Sequence, residues 1–394
     1  MKKFQSDFIF DGFQFLPAGK VLLCDDAGTV LDIVSAEDAG DDVQVLKGTI
    51  CPGWINAHCH TELSHLEGKI PAKKGLVNFV QEVMQQRALT EDRQISIKKG
   101  IEALQKNGVV AVGDICNTTD SIEAKKDSDI YFHNFMEVTG FVPDTALQRL
   151  EAAKKILHLF ASELNPRYNS SSLAAHATYS VSDRLFSMIN VATAGAITSL
   201  HNQETEEENK FFENKEGDFL QLYESLGIDI DFFEPSFQTS IQSVLGMYNA
   251  KQKLLLVHNT FTSEKDLIYI KKYAAQFLDS VHFVICPKAN LYIENTLPNV
   301  DSWRAQGMNI CVGTDSLASN DSLDILSEIA TLWKANPAVT VSELLQWGTL
   351  NGATALGISD RFGSFEPGKR PGVNLIEGLT PTAISDNATT TKLL

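Results

Sequence analysis

An α/β fold, in which eight strand-helix units close into a barrel of parallel strands, is what this 394-residue sequence predicts, on three observations. Strand-like apolar runs alternate with helical patterns through the middle of the chain, as in repeated strand-helix units. The runs number eight, the count that closes such a barrel. Several end in a histidine or an aspartate, the polarity expected where parallel strands deliver ligands to a C-terminal mouth.

Taken in order, the first fifty residues stand outside this alternation. Phe8-Ile9-Phe10-Asp11-Gly12, Lys20-Val21-Leu22-Leu23-Cys24 and Val30-Leu31-Asp32-Ile33-Val34 are short runs separated by Gly and Asp turn signals, as in a small antiparallel sheet. The eight barrel runs lie near 49 to 57, 109 to 115, 131 to 138, 172 to 176, 197 to 201, 254 to 258, 281 to 286 and 309 to 314. Helical patterns run from Leu76 to Arg87, Ile95 to Lys106, Leu147 to Leu164, Gly217 to Leu226, Ser263 to Phe277 and Ser322 to Lys334. Asn107-Gly108 ends one of them with residues that tolerate a left-handed conformation. Gly372-Val373-Asn374-Leu375-Ile376 reads as one more strand, and residues 380 to 394, rich in Thr, Ser, Ala and Asp, as a weakly ordered tail.

Composition fits a large soluble enzyme, with 43% apolar and 21% charged residues. No run approaches the roughly 20 apolar residues that cross a bilayer, and polar residues after Met1-Lys2-Lys3 interrupt any signal core, so no membrane partner and no export are expected. The six cysteines show no C-x-x-C spacing and read as reduced, mostly buried thiols of a cytoplasmic protein. A formal net charge of −17 argues against a nucleic-acid partner, because affinity for polyanions rests on phosphate neutralisation.

The most informative local feature is His58-Cys59-His60, directly after the apolar run Gly48 to Ala57. Side chains along a strand alternate with a period of two, so both imidazoles point the same way and converge as metal ligands do. Taken alone, a chance pair or two surface histidines explains the doublet equally well. Three further strand ends shift that balance: Ala196 to Leu200 ends in His201, Lys253 to Val257 in His258, and Asn309 to Thr314 in Asp315.

With these residues in view, Pro52-Gly53-Trp54-Ile55-Asn56-Ala57-His58-Cys59-His60, His201-Asn202-Gln203-Glu204-Thr205, Val257-His258-Asn259 and Gly313-Thr314-Asp315-Ser316 together resemble the amidohydrolase superfamily, within it the branch of aminohydrolases and chlorohydrolases that acts on aminated heterocycles. His176-Ala177-Thr178-Tyr179, Cys286-Pro287-Lys288-Ala289-Asn290, Asn351 to Gly357 and Gly363 to Lys369 fit the same pattern. The resemblance implies a (β/α)8 TIM barrel over residues 51–362, with both chain ends, 1–50 and 363–394, combining into a small β-sandwich. It implies a homodimer as the assembly to test.

The resemblance also implies roles. His58, His60, His201 and Asp315 hold one divalent metal ion, Zn²⁺ or Fe²⁺, with a position left for water. Binuclear relatives place a bridging lysine at the end of strand four, which here reads Ala174-Ala175-His176 and offers none. Such a metal lowers the pKa of its water from about 15.7 toward about 7. Asp315 accepts the proton of that water, Glu204 protonates the ring nitrogen, His258 stabilises the tetrahedral intermediate, and ammonia leaves.

Other readings stay open. Glu206, Glu207 and Glu208 are expected to be a solvated helix start. Glu62 either accepts hydrogen bonds from a heterocyclic substrate or serves as a helix cap or in a loop ion pair; His176 contacts substrate or packs at a strand end; Asn290 binds substrate or holds a turn. His65 is expected to pack in a loop or lie at the surface. Thr61-Glu62-Leu63-Ser64-His65-Leu66 is closer to the pattern of aminodeoxyfutalosine deaminases than to that of S-adenosylhomocysteine deaminases and triazine hydrolases. The activity expected is hydrolytic deamination of an adenine- or guanine-type nucleoside derivative, a reaction on C–N bonds other than peptide bonds. The alternatives are a chlorohydrolase or amide or cyclic-imide hydrolase using the same metal, and a catalytically dead barrel acting as a binding protein.

Overall fold

The computed structural model describes residues 1–89 and 93–394. The chain opens with β1 (Lys2–Ile9), β2 (Lys20–Cys24), β3 (Val30–Ser35) and β4 (Gln44–Pro52). β1 and β2, and β2 and β3, pair antiparallel as their turn signals require, but β4 runs parallel to β1 along its other edge. The small antiparallel sheet expected of the first three runs is therefore present, and β4, not read as part of it, takes the open edge of β1 and carries the chain toward the barrel.

Gly53 is the hinge between the two units. A Cβ there would lie 2.4 Å from Val110 Cγ1 and 2.7 Å from the Pro371 carbonyl oxygen, so only glycine lets three chain segments meet at this point. The single apolar run read near 49 to 57 is consequently two strands in two sheets. Periodicity misses the break because the residues on both sides of it are buried.

Eight parallel strands follow among the described residues: β5 (Trp54–Cys59), β6 (Val109–Cys116), β7 (Tyr131–Val138), β8 (Asn169–Ala175), β9 (Ile197–Asn202), β10 (Lys253–His258), β11 (Ser280–Ile285) and β12 (Asn309–Val312). They pair in sequence order as two four-stranded sheets, β5 to β8 and β9 to β12. The barrel closes where those sheets meet, through parallel bridges between Ala177 and His201 and between Cys59 and Asp315. At the first seam His201 N donates to the His176 carbonyl at 2.9 Å; at the second, Thr314 N and Asp315 N both donate to the His58 carbonyl at 3.1 Å. Gly313 permits the second approach, since a Cβ would fall 2.8 Å from the His58 oxygen. Asn56 seals it by donating from Nδ2 to Thr314 Oγ1 at 2.8 Å. Both seams thus pass through the residues of the site.

The six expected helices are present, over Leu76–Leu89, Arg93–Lys106, Ala146–Glu163, Asp218–Ser225, Glu264–Phe277 and Ile325–Ala335. Shorter ones, such as Asp183–Ala192 and Glu206–Asn214, are not legible as periodic patterns over so few turns. None of the helices is long and apolar enough to cross a membrane among the described residues. The six cysteines are free and buried.

The last segment corrects a second expectation. After β13 (Val373–Thr380), residues read as a weakly ordered tail form β14 (Ala383–Lys392), and the two chain ends share a six-stranded sheet in the order β14-β13-β4-β1-β2-β3. β14 is an edge strand with mostly exposed side chains, so its polarity resembles a loop. Its threonines nevertheless suit a pleated backbone because they are β-branched.

A charged pair lies inside the barrel wall beneath the mouth. Lys125 Nζ is 2.5 Å from Asp114 Oδ2, and both side chains are fully buried. Burial works against the ammonium, and the adjacent Asp114 charge more than offsets it, so Lys125 titrates above the ordinary lysine range. Asp114 also accepts from Thr61 N at 2.8 Å and Thr61 Oγ1 at 2.6 Å, which pins the chain immediately after His60. Lys125→Met strands a buried carboxylate and is expected to destabilise the fold by about 3–5 kcal/mol. Denaturant unfolding of wild type and variant at equal metal load measures this; coincident midpoints would contradict it.

Candidate metal centre and its cavity

The period of two brings His58 and His60 to one point, with their Nε2 atoms 3.1 Å apart, and His201 Nε2 lies 3.3 Å from that of His60. Asp315 Oδ1 lies 3.4 Å from His60 Nε2 and 3.7 Å from His58 Nε2. Burial above all lowers the pKa of each of the three histidines, keeping the imidazoles neutral. His201 Nδ1 donates to the His176 carbonyl at 2.7 Å, which leaves Nε2 a lone pair facing its neighbours. Nitrogen lone pairs gathered this closely are unfavourable without a cation among them. Metal–nitrogen bonds of about 2.0–2.1 Å in a tetrahedron give ligand spacings of about 3.3–3.4 Å, close to those seen. The residues present therefore fit a divalent metal.

The strand ends carry backbone strain. His258 (φ 70°), Asn259 (φ 52°), Gln203 (φ 44°) and Asp315 (φ 57°) are left-handed without being glycine, a conformation that costs of order 1–3 kcal/mol each and concentrates at functional sites. Hydrogen bonds hold it: Asn259 N to the Asn202 carbonyl at 2.9 Å, Asn202 Nδ2 to Asn259 Oδ1 at 2.9 Å, and Asn259 Nδ2 to the Leu256 carbonyl at 2.7 Å. Ser319 Oγ donates to Asp315 Oδ2 at 2.5 Å and leaves Oδ1 toward the histidines.

Glu204 and His258 face each other, with Oε1 to Nε2 at 3.5 Å. Burial first, and then the Asp315 charge, hold the Glu204 carboxyl well above the usual carboxylate range. Burial keeps His258 neutral. The acidic run after Glu204 does begin a helix, with Thr205 as its cap, and Glu206 is exposed. Glu208 departs from the expected solvated start: it is fully buried and accepts from Gln203 N at 3.0 Å, Glu204 N at 2.8 Å and Thr178 Oγ1 at 2.8 Å. It folds back because the strained turn at Gln203 exposes two backbone donors. Burial pushes Glu208 up to about 7.

A cavity of about 500 Å³ opens from this centre. His60, His201, Glu204, His258 and Asp315 line it, as do the apolar Leu76, Phe79, Val80, Leu222 and Leu226. His176 lines it too, its Nδ1 2.6 Å from Ser180 Oγ. Two residues read as substrate contacts lie elsewhere. Asn290 is fully buried behind His258, with Nδ2 donating to Thr260 Oγ1 at 2.7 Å and 3.4 Å from His258 Nδ1, and it does not line the cavity. Glu62 is buried outside the lining, where it accepts from Arg87 Nη2 at 3.1 Å and from the Asn117 and Thr118 amides, the loop ion pair that was its alternative reading. Burial pushes Glu62 up to about 7 despite those partners. His65 is buried against the Glu62 carbonyl at 3.0 Å.

Sequence reasoning missed Glu137, Arg87 and Asn117, which all line the cavity. Glu137 carried the same signal as the histidines, a polar residue near the end of the apolar strand β7. Arg87 and Asn117 carried none. Ligand atoms of Glu137, His176 and His201 also lie within 4.8 Å of one another, but the Nδ1 proton of His201 is committed to the His176 carbonyl, so that group offers no second complete set.

The chain belongs to the amidohydrolase family, whose pattern matches residues 49–393. It is 28% identical over 332 residues to an adenosine deaminase of Helicobacter pylori, covering 82% of this chain and 78% of that one. It is 24% identical over 360 residues to a 5-methylthioadenosine/S-adenosylhomocysteine deaminase of Pyrococcus furiosus, covering 88% and 78%. The crystal structure of Helicobacter pylori aminofutalosine deaminase in complex with methylthio-coformycin superimposes with a TM-score of 0.80 at 23% identity, over 97% of this chain and 94% of that one, and so shares the barrel and its terminal sheet.

Proposed function

We propose that the protein is a metal-dependent hydrolytic deaminase of an aminated heterocycle, with an adenine- or guanine-type nucleoside derivative as substrate. The observation that carries this reading is the meeting, beside one cavity, of three neutral imidazoles and Asp315 with Glu204, whose pKa favours the protonated form, opposite His258. The deaminases among its relatives support it.

His58, His60, His201 and Asp315 would hold the metal, Zn²⁺ by its affinity for such a donor set, with Fe²⁺ as the other candidate. A divalent cation bound there supplies the Lewis acidity that makes water a nucleophile near neutral pH. Asp315 takes the proton of the attacking water, aided by Ser319, which fixes its second oxygen. Glu204 gives its proton to the ring nitrogen beside the amino-bearing carbon while the new C–O bond forms. His258, positioned by Asn290, hydrogen-bonds the developing oxygen charge. The proton gained by Asp315 then goes to the exocyclic amine, the remaining hydroxyl proton returns to Glu204 as the C–N bond breaks and the ring carbonyl forms, and ammonia leaves.

The test is ammonia release from adenosine, 5′-methylthioadenosine, S-adenosylhomocysteine, aminodeoxyfutalosine, guanine and cytosine, with a chlorotriazine and a hydantoin alongside. Activity on at least one amine is expected, abolished by a chelator and restored by close to one equivalent of divalent metal per chain. Turnover confined to the chlorotriazine or hydantoin would replace deamination by the other hydrolytic reading, and a requirement for two metals per chain would sink the mononuclear centre.

A further inference from the structure

Among the described residues that line the cavity, one buried carboxylate oxygen makes no hydrogen bond within the protein. Glu137, near the end of β7, lines the cavity beside the metal centre. Its Oε2 accepts from Asn117 Nδ2 at 2.7 Å; Asn117 Oδ1 accepts from Arg87 Nη1 at 3.1 Å; and Arg87 Nη2 donates to Glu62 at 3.1 Å. This succession of buried and half-buried groups sets the Glu137 carboxyl in one orientation. Oε1, in contrast, is buried without a hydrogen-bond partner. The imidazole nearest to it, through His201 Nδ1, is 3.8 Å away and already donates elsewhere. Buried acceptors left unpaired are costly and uncommon, and one held rigidly at a cavity wall awaits a donor from the ligand.

The surroundings define that donor. An ammonium group there would also face any cation that His201 would hold through Nε2, and like charges in a buried site repel. A neutral donor avoids this. A heterocycle placed with its amino-bearing carbon between Glu204 and the histidines leaves much of the 500 Å³ cavity for a substituent. We infer that Glu137 is a specificity-determining residue that accepts a hydrogen bond from a sugar hydroxyl on the substrate, so that the site takes nucleosides over free bases. This rests on the deaminase reading above and adds to it the residue that recognises the sugar.

Binding of ligands that carry a ring carbonyl in place of the amine reads the inference without turnover. Inosine, 2′,3′-dideoxyinosine and hypoxanthine are titrated calorimetrically into wild type, Glu137→Ala and Glu137→Gln, each with its metal content measured. Wild type is expected to bind inosine about 10- to 100-fold more tightly than dideoxyinosine. In Glu137→Ala that ratio falls to within about threefold while hypoxanthine binding is unchanged, and Glu137→Gln, which keeps an acceptor oxygen, recovers part of it. Equal affinities in wild type, no binding of inosine, or a uniform loss for all three ligands together with loss of metal would each overturn the inference; the last would make Glu137 a support for His201. A Glu137-dependent hydroxyl preference with no ammonia from any amine leaves this inference standing and rejects the deaminase reading. Ammonia release without a hydroxyl preference does the opposite.

Discussion

Glu204→Gln is expected to lower kcat for ammonia release by about 10²- to 10⁴-fold while leaving metal content and unfolding midpoint unchanged. The carboxamide keeps the shape and polarity of the side chain and loses only the transferable proton. Burial and the Asp315 charge raise the Glu204 carboxyl well above its ordinary range, so it carries that proton where an exposed glutamate would not. The sign of the pH effect follows: a general acid works below its own pKa and fails as pH rises through it. Wild-type kcat should therefore have an alkaline limb due to Glu204, and the residual activity of the Gln variant should lack it. Activity within a few-fold of wild type would remove Glu204 from the mechanism.

Asp315→Asn should be at least as damaging, because one carboxylate serves two purposes. Its Oδ1 stands 3.4 Å from His60 Nε2, and in the proposed mechanism the carboxylate is both a metal ligand and the group that takes the proton of the attacking water. The amide is a weaker ligand and no base, so a loss of about 10²- to 10⁴-fold in kcat from the missing base alone should accompany weakened metal retention. Assays at saturating metal separate the two effects. Ser319→Ala, which frees only Oδ2, is expected to cost a smaller factor of about 10- to 100-fold in metal affinity or activity. A fully metal-loaded Asp315→Asn enzyme that turns over at the wild-type rate would assign the base elsewhere.

Residues that act through local spacing are legible in the sequence alone. His58 and His60 need only the alternation of a strand, and His201, His258 and Asp315 only their places at the ends of apolar runs; the fold gathers them into one cluster, all but His58 lining the cavity. Glu204 rests on the family resemblance, through its position three residues after His201. Glu62 and Asn290 mislead because the same reasoning assigns a polar residue near a mouth to the ligand, whereas backbone amides and neighbouring side chains compete for it and here take it.

By itself the sequence determined the eight-stranded barrel and the six long helices, because each depends on hydrophobic period, while the candidate metal-ligand set was what the family resemblance of its motifs implied. The tertiary structure alone decided what crosses between segments. It broke the run at Gly53 into strands of two sheets, since the cause is a contact with Val110 and Pro371 distant in the chain. It drew the polar C-terminal residues into an edge strand by pairing them with β13. It buried Glu208 against the backbone of a strained turn, and joined Glu62, Arg87, Asn117 and Glu137 from separate elements into one hydrogen-bonded succession at the cavity wall. Charged side chains such as Lys125 and Asp114 look alike in sequence whether they meet water or a buried partner; only the fold supplies the partner, and with it the energy that keeps the charge inside.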